Sequence, residues 1–202
     1  AWINESALTV EQKIELARSA IERYPNAWDV IASKLPHGTS SICSTLNIPK
    51  YRRIDEPEEL YVREVNKTYI EYLRMCIDRA YTGADRWIKI LQHIKSYDIN
   101  IQKEVFEKLV FICKKMSDEE KIRIKNEIRY EIFRHRYFED ADWSMPQEVL
   151  REYECVMNKI VVGEKIYDYL YIFSHVSDFP LLNPIPYSKE ENTEIHNQNY
   201  IL

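Results

Sequence analysis

Hydrophobic residues along most of this chain recur every three to four positions, the spacing that gathers side chains on one face of an α-helix. Val10, Ile14, Ala17 and Ile21 follow this spacing and predict a helix that continues to Tyr24. The same spacing predicts further helices over residues 25–35, 58–80, 100–116, 117–138 and 166–173, one after Gly83, and one that ends near Ile160. The 100–116 segment has the broadest apolar face, which indicates contact with neighbours on two sides.

Short motifs predict where three of these helices begin. A hydroxyl residue stands three positions before a glutamine or glutamate at Thr9–Gln12, Ser117–Glu120 and Ser144–Gln147. In such a capping box the hydroxyl accepts a hydrogen bond from the backbone three residues on, and the longer side chain reaches back to the capping residue. We therefore expect all three helices to be capped by their own side chains.

Two predicted hairpins resemble each other and give a weak repeat signal. Each places a tryptophan seven residues before an aliphatic side chain, Trp28 before Leu35 and Trp87 before Ile94, as an α-solenoid would. By contrast, residues 179–186 contain three prolines and cannot be helical. The sequence thus predicts an all-α fold: antiparallel helical hairpins in an irregular α-solenoid-like array over residues 1–178, then an extended Pro-rich strap and polar tail over 179–202.

Composition excludes several kinds of site. The chain has only 3 glycines in 202 residues, so it lacks the glycine-rich turns that cradle phosphates or expose a nucleophile. Its 4 cysteines lie more than 30 residues apart without a CxxC pair, which favours reduced, buried thiols and a cytoplasmic protein over disulfides or zinc. We predict no cofactor and no metal. No apolar run approaches the roughly 20 residues that a membrane span needs, so we predict no membrane partner.

The charge is distributed unevenly. Residues 1–138 carry 24 basic and 21 acidic side chains, whereas residues 139–202 carry 4 and 12. The acidic end argues against a nucleic-acid clamp along the whole chain, because phosphate binding needs local positive charge.

The segment 134–143 holds the densest set of reactive side chains. His135 with Asp140 and Asp142 could form a metal-dependent hydrolase site, since histidine and carboxylates bind divalent cations and move protons. The plainer interpretation is structural: His135 and the neighbouring arginines suit the negative end of a helix that ends near Phe138, and Asp140 or Asp142 hydrogen-bonds the following turn. We favour the structural interpretation.

Two basic segments are candidate binding sites. Lys50, Tyr51, Arg52 and Arg53 place three cations around an aromatic ring in a predicted loop, and residues 114–136 carry eight basic residues against five acidic ones, with Arg134 and Arg136 at the end. Either segment could meet a phosphate or an acidic partner. The alternative for the helix is a solvated face on which Lys121, Arg123 and Lys125 pair with acids along the helix.

Several motifs together resemble a bacterial family. They are Ala27-Trp28 with Leu35-Pro36-His37-Gly38, Pro49-Lys50-Tyr51-Arg52, His135-Arg136 with Phe138, Asp140-Ala141-Asp142-Trp143 and Pro146, and Tyr169-Leu170 with Phe173 and Phe179-Pro180. Spread over about residues 20–187, they resemble the helical-repeat region of large, mostly uncharacterised bacterial multidomain proteins. Some of those resemble signal-transduction P-loop NTPases linked to phage defence. The family pattern favours tryptophan at the position of Tyr51.

The resemblance implies a helical scaffold or sensor segment. ATPase activity does not carry over, because this chain contains no P-loop. The chain begins without methionine and ends within a pattern, so we expect it to be a fragment. We predict a non-catalytic protein-interaction or sensor/scaffold module of a larger cytoplasmic bacterial protein. Its partner is another protein or other domains of the parent chain. The alternatives are the metal-dependent hydrolase and a nucleic-acid-binding helical array.

Overall fold

The fold is that of a computed structural model, which describes residues 8–36, 62–173, 181–184 and 186–187. Every regular element in these ranges is helical, which confirms the all-α prediction. The α-helices are α1 Val10–Arg23, α2 Ala27–Ala32, α3 Val62–Asp78, α4 Ala84–Ile94, α5 Ile99–Cys113, α6 Asp118–Tyr137 and α7 Gln147–Lys159, followed by a 3-10 helix at Lys165–Phe173. Two compact units, Ala1–Phe106 and Glu107–Leu202, divide the chain within α5.

Two tryptophans organise the first unit, in which α1 packs against α2 and α3, and α3 packs against α4. The indole N–H of Trp28 donates to the carbonyl of Cys76 near the end of α3, at 2.9 Å. Carbonyls in the last turn of a helix lack an intrahelical donor, so this bond satisfies an acceptor that α3 leaves open. Trp87 donates in the same way to Tyr81 in the turn before α4, at 2.9 Å. Both rings are buried, as their hydrophobic spacing predicts.

Helix α1 begins with its predicted capping box. Helix α2 begins at Ala27, whereas the sequence predicted a start at Pro25. Thr9 accepts from the Gln12 backbone, and the Gln12 side chain accepts from the Thr9 backbone. Pro25, in contrast, lies in the turn before α2 and is not its first residue, because the Ala27 amide donates to the Tyr24 carbonyl to close that turn.

In the second unit α6 packs against α7, and the 3-10 helix packs against α6. The predicted Ser117–Glu120 capping box is present. Asp118, the first residue of α6, accepts a hydrogen bond from Lys121 Nζ at 2.8 Å and one from the backbone N–H of Gly163 at 2.9 Å. The bond from Gly163 holds the loop after α7 against the beginning of α6.

The third predicted capping box is wrong. Helix α7 begins at Gln147 with Pro146 as its capping residue, and no side chain caps it. The hydroxyl of Ser144 donates instead to the carbonyl of His135 at 2.7 Å. This carbonyl lies in the last turn of α6, where it lacks an intrahelical donor. Ser144 therefore stabilises the end of one helix and does not start the next.

Two described thiols are buried and one is exposed. Burial raises the pKa of Cys76 to about 12 and that of Cys113 to about 11. Cys155 is free and exposed on α7, so the prediction of buried thiols is wrong at this position. Its neighbours Val156 and Met157 occupy the buried face. No helix of the described ranges combines the length and the apolar character that crossing a bilayer requires.

Some predicted features lie outside the described residues: the loop containing Lys50, Tyr51, Arg52 and Arg53, together with Cys43, His37 and the proposed boundary at 178/179. Of the Pro-rich segment, residues 181–184 and 186–187 are described and contain no helix.

Candidate functional site

Helix α6 buries ionisable side chains along the face that meets the rest of its unit. Lys125, Arg129, Glu131 and His135 are all buried there, next to Ile124, Ile128 and Ile132. Charged side chains are almost never buried unless they are paired, so each of these must be accounted for by its contacts.

Two of the buried cations bind neighbouring elements. Lys125 Nζ donates to the carbonyl of Ile160, the residue that ends α7, at 3.1 Å. A cation suits that position because the end of a helix carries partial negative charge. The guanidinium carbon of Arg129 lies 3.8 Å from the ring centre of Tyr171 in the 3-10 helix, a cation–π contact.

These contacts correct the expectation of a solvated basic face. Arg123 is exposed, but Lys125 is buried. Lys121 is mostly covered and pairs with Asp118 three residues before it. Of these three basic residues, Lys121 and Lys125 thus make contacts within the protein, and Arg123 is exposed to solvent.

His135 lies at the centre of the last turn of α6 and is completely buried, with 0% of its side chain exposed. Its Nδ1 accepts a hydrogen bond from the backbone N–H of Met145 at 3.1 Å. A neutral imidazole that accepts at Nδ1 carries its proton on Nε2. That nitrogen lies 3.4 Å from Glu131 Oε2, and within the described residues it makes no hydrogen bond.

Glu131 connects His135 to two other polar groups. Its other carboxylate oxygen lies 3.9 Å from Arg134 Nη1. On α7, the pKa of buried Tyr153 is raised first by desolvation and then by the negative charge of Glu131. Glu131 and His135 of α6 thus form a buried polar cluster with Tyr153 of α7.

An exposed aromatic surface lies directly above this cluster. Phe138 is 37% exposed and Trp143 is 43% exposed, with their ring centres 5.8 Å apart. The guanidinium of Arg134 lies 4.7 Å from the Trp143 ring centre, and the Tyr187 ring lies 5.6 Å from that of Phe138. We call Arg134, Phe138, Trp143 and Tyr187 the turn surface.

Contacts with His135 and with the Tyr137 carbonyl hold the turn surface in place. The Trp143 ring meets the His135 ring edge-on at 5.2 Å, and the next two residues of the turn, Ser144 and Met145, donate hydrogen bonds to His135. The backbone N–H of Tyr187 donates to the carbonyl of Tyr137 at 2.7 Å. A surface held in this way loses little conformational freedom on binding.

Arg136 is occupied by contacts within its own unit. Its side chain is only 12% exposed and forms an ion pair with Glu154 of α7 at 2.7 Å. It also donates to the Leu182 carbonyl, to Asn183 Oδ1 at 3.0 Å and to Gln147 Oε1 at 3.3 Å. Of the two arginines predicted to bind a partner, Arg134 thus contributes to an exposed surface, whereas Arg136 joins α6 to α7 and to residues 182–183.

The structure separates the residues of the predicted hydrolase site. His135 is buried, whereas Asp140 and Asp142 are exposed on the turn between α6 and α7. Within the described ranges, no three His, Cys, Asp or Glu side chains are grouped as a metal ion would require. The hydrogen bonds from the turn to α6 come from Ser144 and Met145, where the structural interpretation named Asp140 or Asp142.

Sequence reasoning identified the 134–143 segment but missed Glu131, Tyr153 and Tyr187. Glu131 stands four residues before His135, so helical spacing could have paired them. Nothing in the local sequence places Tyr153 or Tyr187 next to this turn. Comparison with protein families, with curated proteins and with solved structures finds no match to this chain.

Proposed function

We propose that this chain is a non-catalytic protein-interaction or sensor/scaffold module of a larger cytoplasmic bacterial protein, and that the turn surface contacts the partner. The observation that carries the proposal is the pair of exposed rings, Phe138 and Trp143, beside Arg134. Tryptophan, tyrosine and arginine are the side chains that most often dominate binding energy at protein interfaces.

The charges around the turn surface favour a partner segment that carries lysine or arginine. Glu139, Asp140 and Asp142 are all exposed on the short turn that joins Phe138 to Trp143. Opposite charges across an interface speed association and select the partner. A basic segment could place its apolar stems on the rings and its charges against these carboxylates.

The proposal includes the finer features of the predicted fold. In it, helical hairpins form an irregular solenoid-like array, and the Pro-rich segment is an extended strap. Contacts of Leu182, Asn183 and Tyr187 with the end of α6 support a strap at this position.

The two alternative functions have less support. A hydrolase would need His135 within reach of a substrate, yet its ring is buried under Trp143. A nucleic-acid array would need free arginines, yet Arg136 is bound by Glu154 and Arg134 lies beside Glu131. Carboxylates on the adjacent turn would also repel phosphates.

The experiment starts with affinity capture from the native host and continues with the captured partner in purified form. Calorimetry then compares the wild type with Trp143→Ala and with Phe111→Ala. Phe111 is a matched control, because it is 56% exposed on α5 and lies outside the turn surface. We expect Trp143→Ala to weaken binding at least tenfold and Phe111→Ala less than twofold, since a hot-spot side chain contributes about 2 kcal/mol or more.

A charge-reversal variant covers the case in which Trp143→Ala disturbs the turn. Asp140→Lys changes an exposed side chain only, and we expect it to weaken binding and to reduce its dependence on salt. Equal affinity of all three variants and the wild type would disprove the proposal. So would turnover of a substrate by the purified chain that is lost in His135→Ala.

A further inference from the structure

The part of the turn surface that contains Trp143 is held to α6 by contacts with His135. Met145 donates its backbone N–H to His135 Nδ1 at 3.1 Å, and Ser144 donates to the His135 carbonyl at 2.7 Å. Trp143 precedes these two residues directly and packs edge-on against the same ring, at 5.2 Å. Three consecutive residues of the turn thus contact His135: Trp143 and Met145 contact its ring, and Ser144 contacts its backbone carbonyl.

Of the two hydrogen bonds, only the one to Nδ1 is sensitive to a proton. Neutral imidazole has one nitrogen that accepts hydrogen bonds, whereas the imidazolium ion has two donors and no acceptor. A proton added to His135 would go to Nδ1, because Nε2 already carries one. The new N–H would then face the N–H of Met145, and the hydrogen bond between them would be replaced by repulsion.

The groups around the ring determine whether it can accept that proton. On α6, Glu131 Oε2 lies 3.4 Å from Nε2 and favours the charged ring, while Arg134, 3.9 Å from the same carboxylate, opposes it. On α7, Tyr153 lies close enough to Glu131 for the carboxylate to raise its pKa. From the turn, Trp143 presents an uncharged ring.

Protonation therefore has one strong compensation and two costs, of which the first is the desolvation of a charged ring whose side chain is 0% exposed. The compensation is the nearby Glu131 carboxylate, because a buried cation is tolerated only with a counter-charge. The second cost is the hydrogen bond from Met145, the contact that holds the turn to the ring.

We propose that His135 is a proton-operated latch, in which protonation of Nδ1 releases the Met145 amide and loosens the turn that carries Trp143. The latch rests on this geometry alone. Its consequence for binding rests on the proposed function, because a loosened turn surface would bind the partner more weakly at acidic pH.

Nuclear magnetic resonance of the ¹⁵N-labelled chain tests the latch without a partner. The imidazole nitrogen shifts of His135 at neutral pH should show Nε2–H and an unprotonated Nδ1. On acidification, the Met145 amide and the Trp143 indole signals should shift with the same midpoint as the ring. The protection factor of the Met145 amide, which is corrected for intrinsic exchange, should fall at least tenfold across that midpoint.

His135→Asn is the matched control variant. The Asn Oδ1 takes the place of Nδ1 as an acceptor for Met145 but does not titrate, so we expect less than a twofold change in protection over the same range. If this variant does not fold, the wild-type titration still decides. A ring that stays neutral until the whole chain unfolds, a proton on Nδ1 at neutral pH, or protonation that leaves Met145 and Trp143 unchanged would each overturn the latch.

Failure of the latch and failure of the proposed function give different results. A working latch with no effect of Trp143→Ala on partner affinity would disprove only the binding role of the turn surface. A partner whose affinity depends on Trp143 but is independent of pH, together with a silent Met145 amide, would disprove only the latch.

Discussion

Replacement of Arg136 by lysine is a direct test of how the turn surface is assembled. This arginine joins α6 to three positions that are distant in the sequence: Glu154 at 2.7 Å, Asn183 at 3.0 Å and the Leu182 carbonyl. The donor in all three contacts is Nη1, so Arg136→Lys keeps the positive charge but replaces this rigidly held guanidinium nitrogen by a flexible ammonium.

The contacts set the size of the expected effect. A lysine ammonium can retain the ion pair with Glu154, but its shorter and more flexible side chain does not hold the position from which Nη1 also reaches residues 182–183. Hydrogen bonds to charged groups contribute about 1.5–3 kcal/mol when buried, and partial exposure reduces this to about 1 kcal/mol each. Loss of the two contacts to Leu182 and Asn183 thus costs about 2 kcal/mol, or a roughly 30-fold rise in local opening.

Amide hydrogen exchange at Tyr187 measures this opening directly. The Tyr187 N–H donates to the Tyr137 carbonyl at 2.7 Å and exchanges only when the segment leaves the end of α6. Arg151→Lys, an exposed arginine on α7, makes the same chemical change away from these contacts and should leave exchange unaltered. A change below threefold in Arg136→Lys would refute the assignment of Arg136 as the residue that holds this segment.

Two further predictions concern the acid dependence of stability through Asp118 and the order in which Cys155 and Cys76 react. The pKa of Asp118 is lowered by hydrogen bonds from Lys121 and from the Gly163 backbone. Since its folded pKa is below the unfolded value, its contribution to stability is present above about pH 4 and is lost as the pH falls further. Urea unfolding of Asp118→Asn should therefore lack this acid dependence, and an unchanged pH profile would contradict the prediction. In the native chain, Cys155 should react with a thiol reagent well before Cys76, whose pKa is raised to about 12 by burial. Mass spectrometry of the labelled peptides measures this order, and equal labelling would contradict it.

The helices were predictable where their signals are local. The capping boxes at Thr9 and Ser117 form because both partners lie within one helical turn of each other and need no other segment. The box at Ser144 has the same spacing but fails, because α7 begins only at Gln147 with Pro146 as its capping residue, and the Ser144 hydroxyl donates to the His135 carbonyl. That carbonyl lies nine residues away in the sequence, and only the reversal of the chain direction after α6 brings it close.

The candidate site was only partly predictable for a related reason. Sequence spacing placed reactive side chains at 134–143 but gave no way to distinguish exposed Arg134 from engaged Arg136, since both stand in the same turn of α6. The difference comes from Glu154 and Asn183, which reach Arg136 from segments further along the chain. Polar spacing likewise suggested that Lys125 is solvated. It is buried instead, because its Nζ donates to the Ile160 carbonyl at the end of α7.

The polar groups buried along α6 are best understood as the means by which this helix determines its neighbours' positions. An apolar face of similar volume is often as stable, but it makes no hydrogen bond or ion contact to a particular atom of its neighbour. Lys125 instead binds the end of α7, Arg129 binds the 3-10 helix, and His135 binds the turn before α7. Each contact satisfies a buried group only in one register, so a shifted neighbour would leave a charge or a backbone group without its partner. A helix with this property can hold exposed rings in a fixed arrangement, which is what the proposed interaction at Phe138 and Trp143 requires.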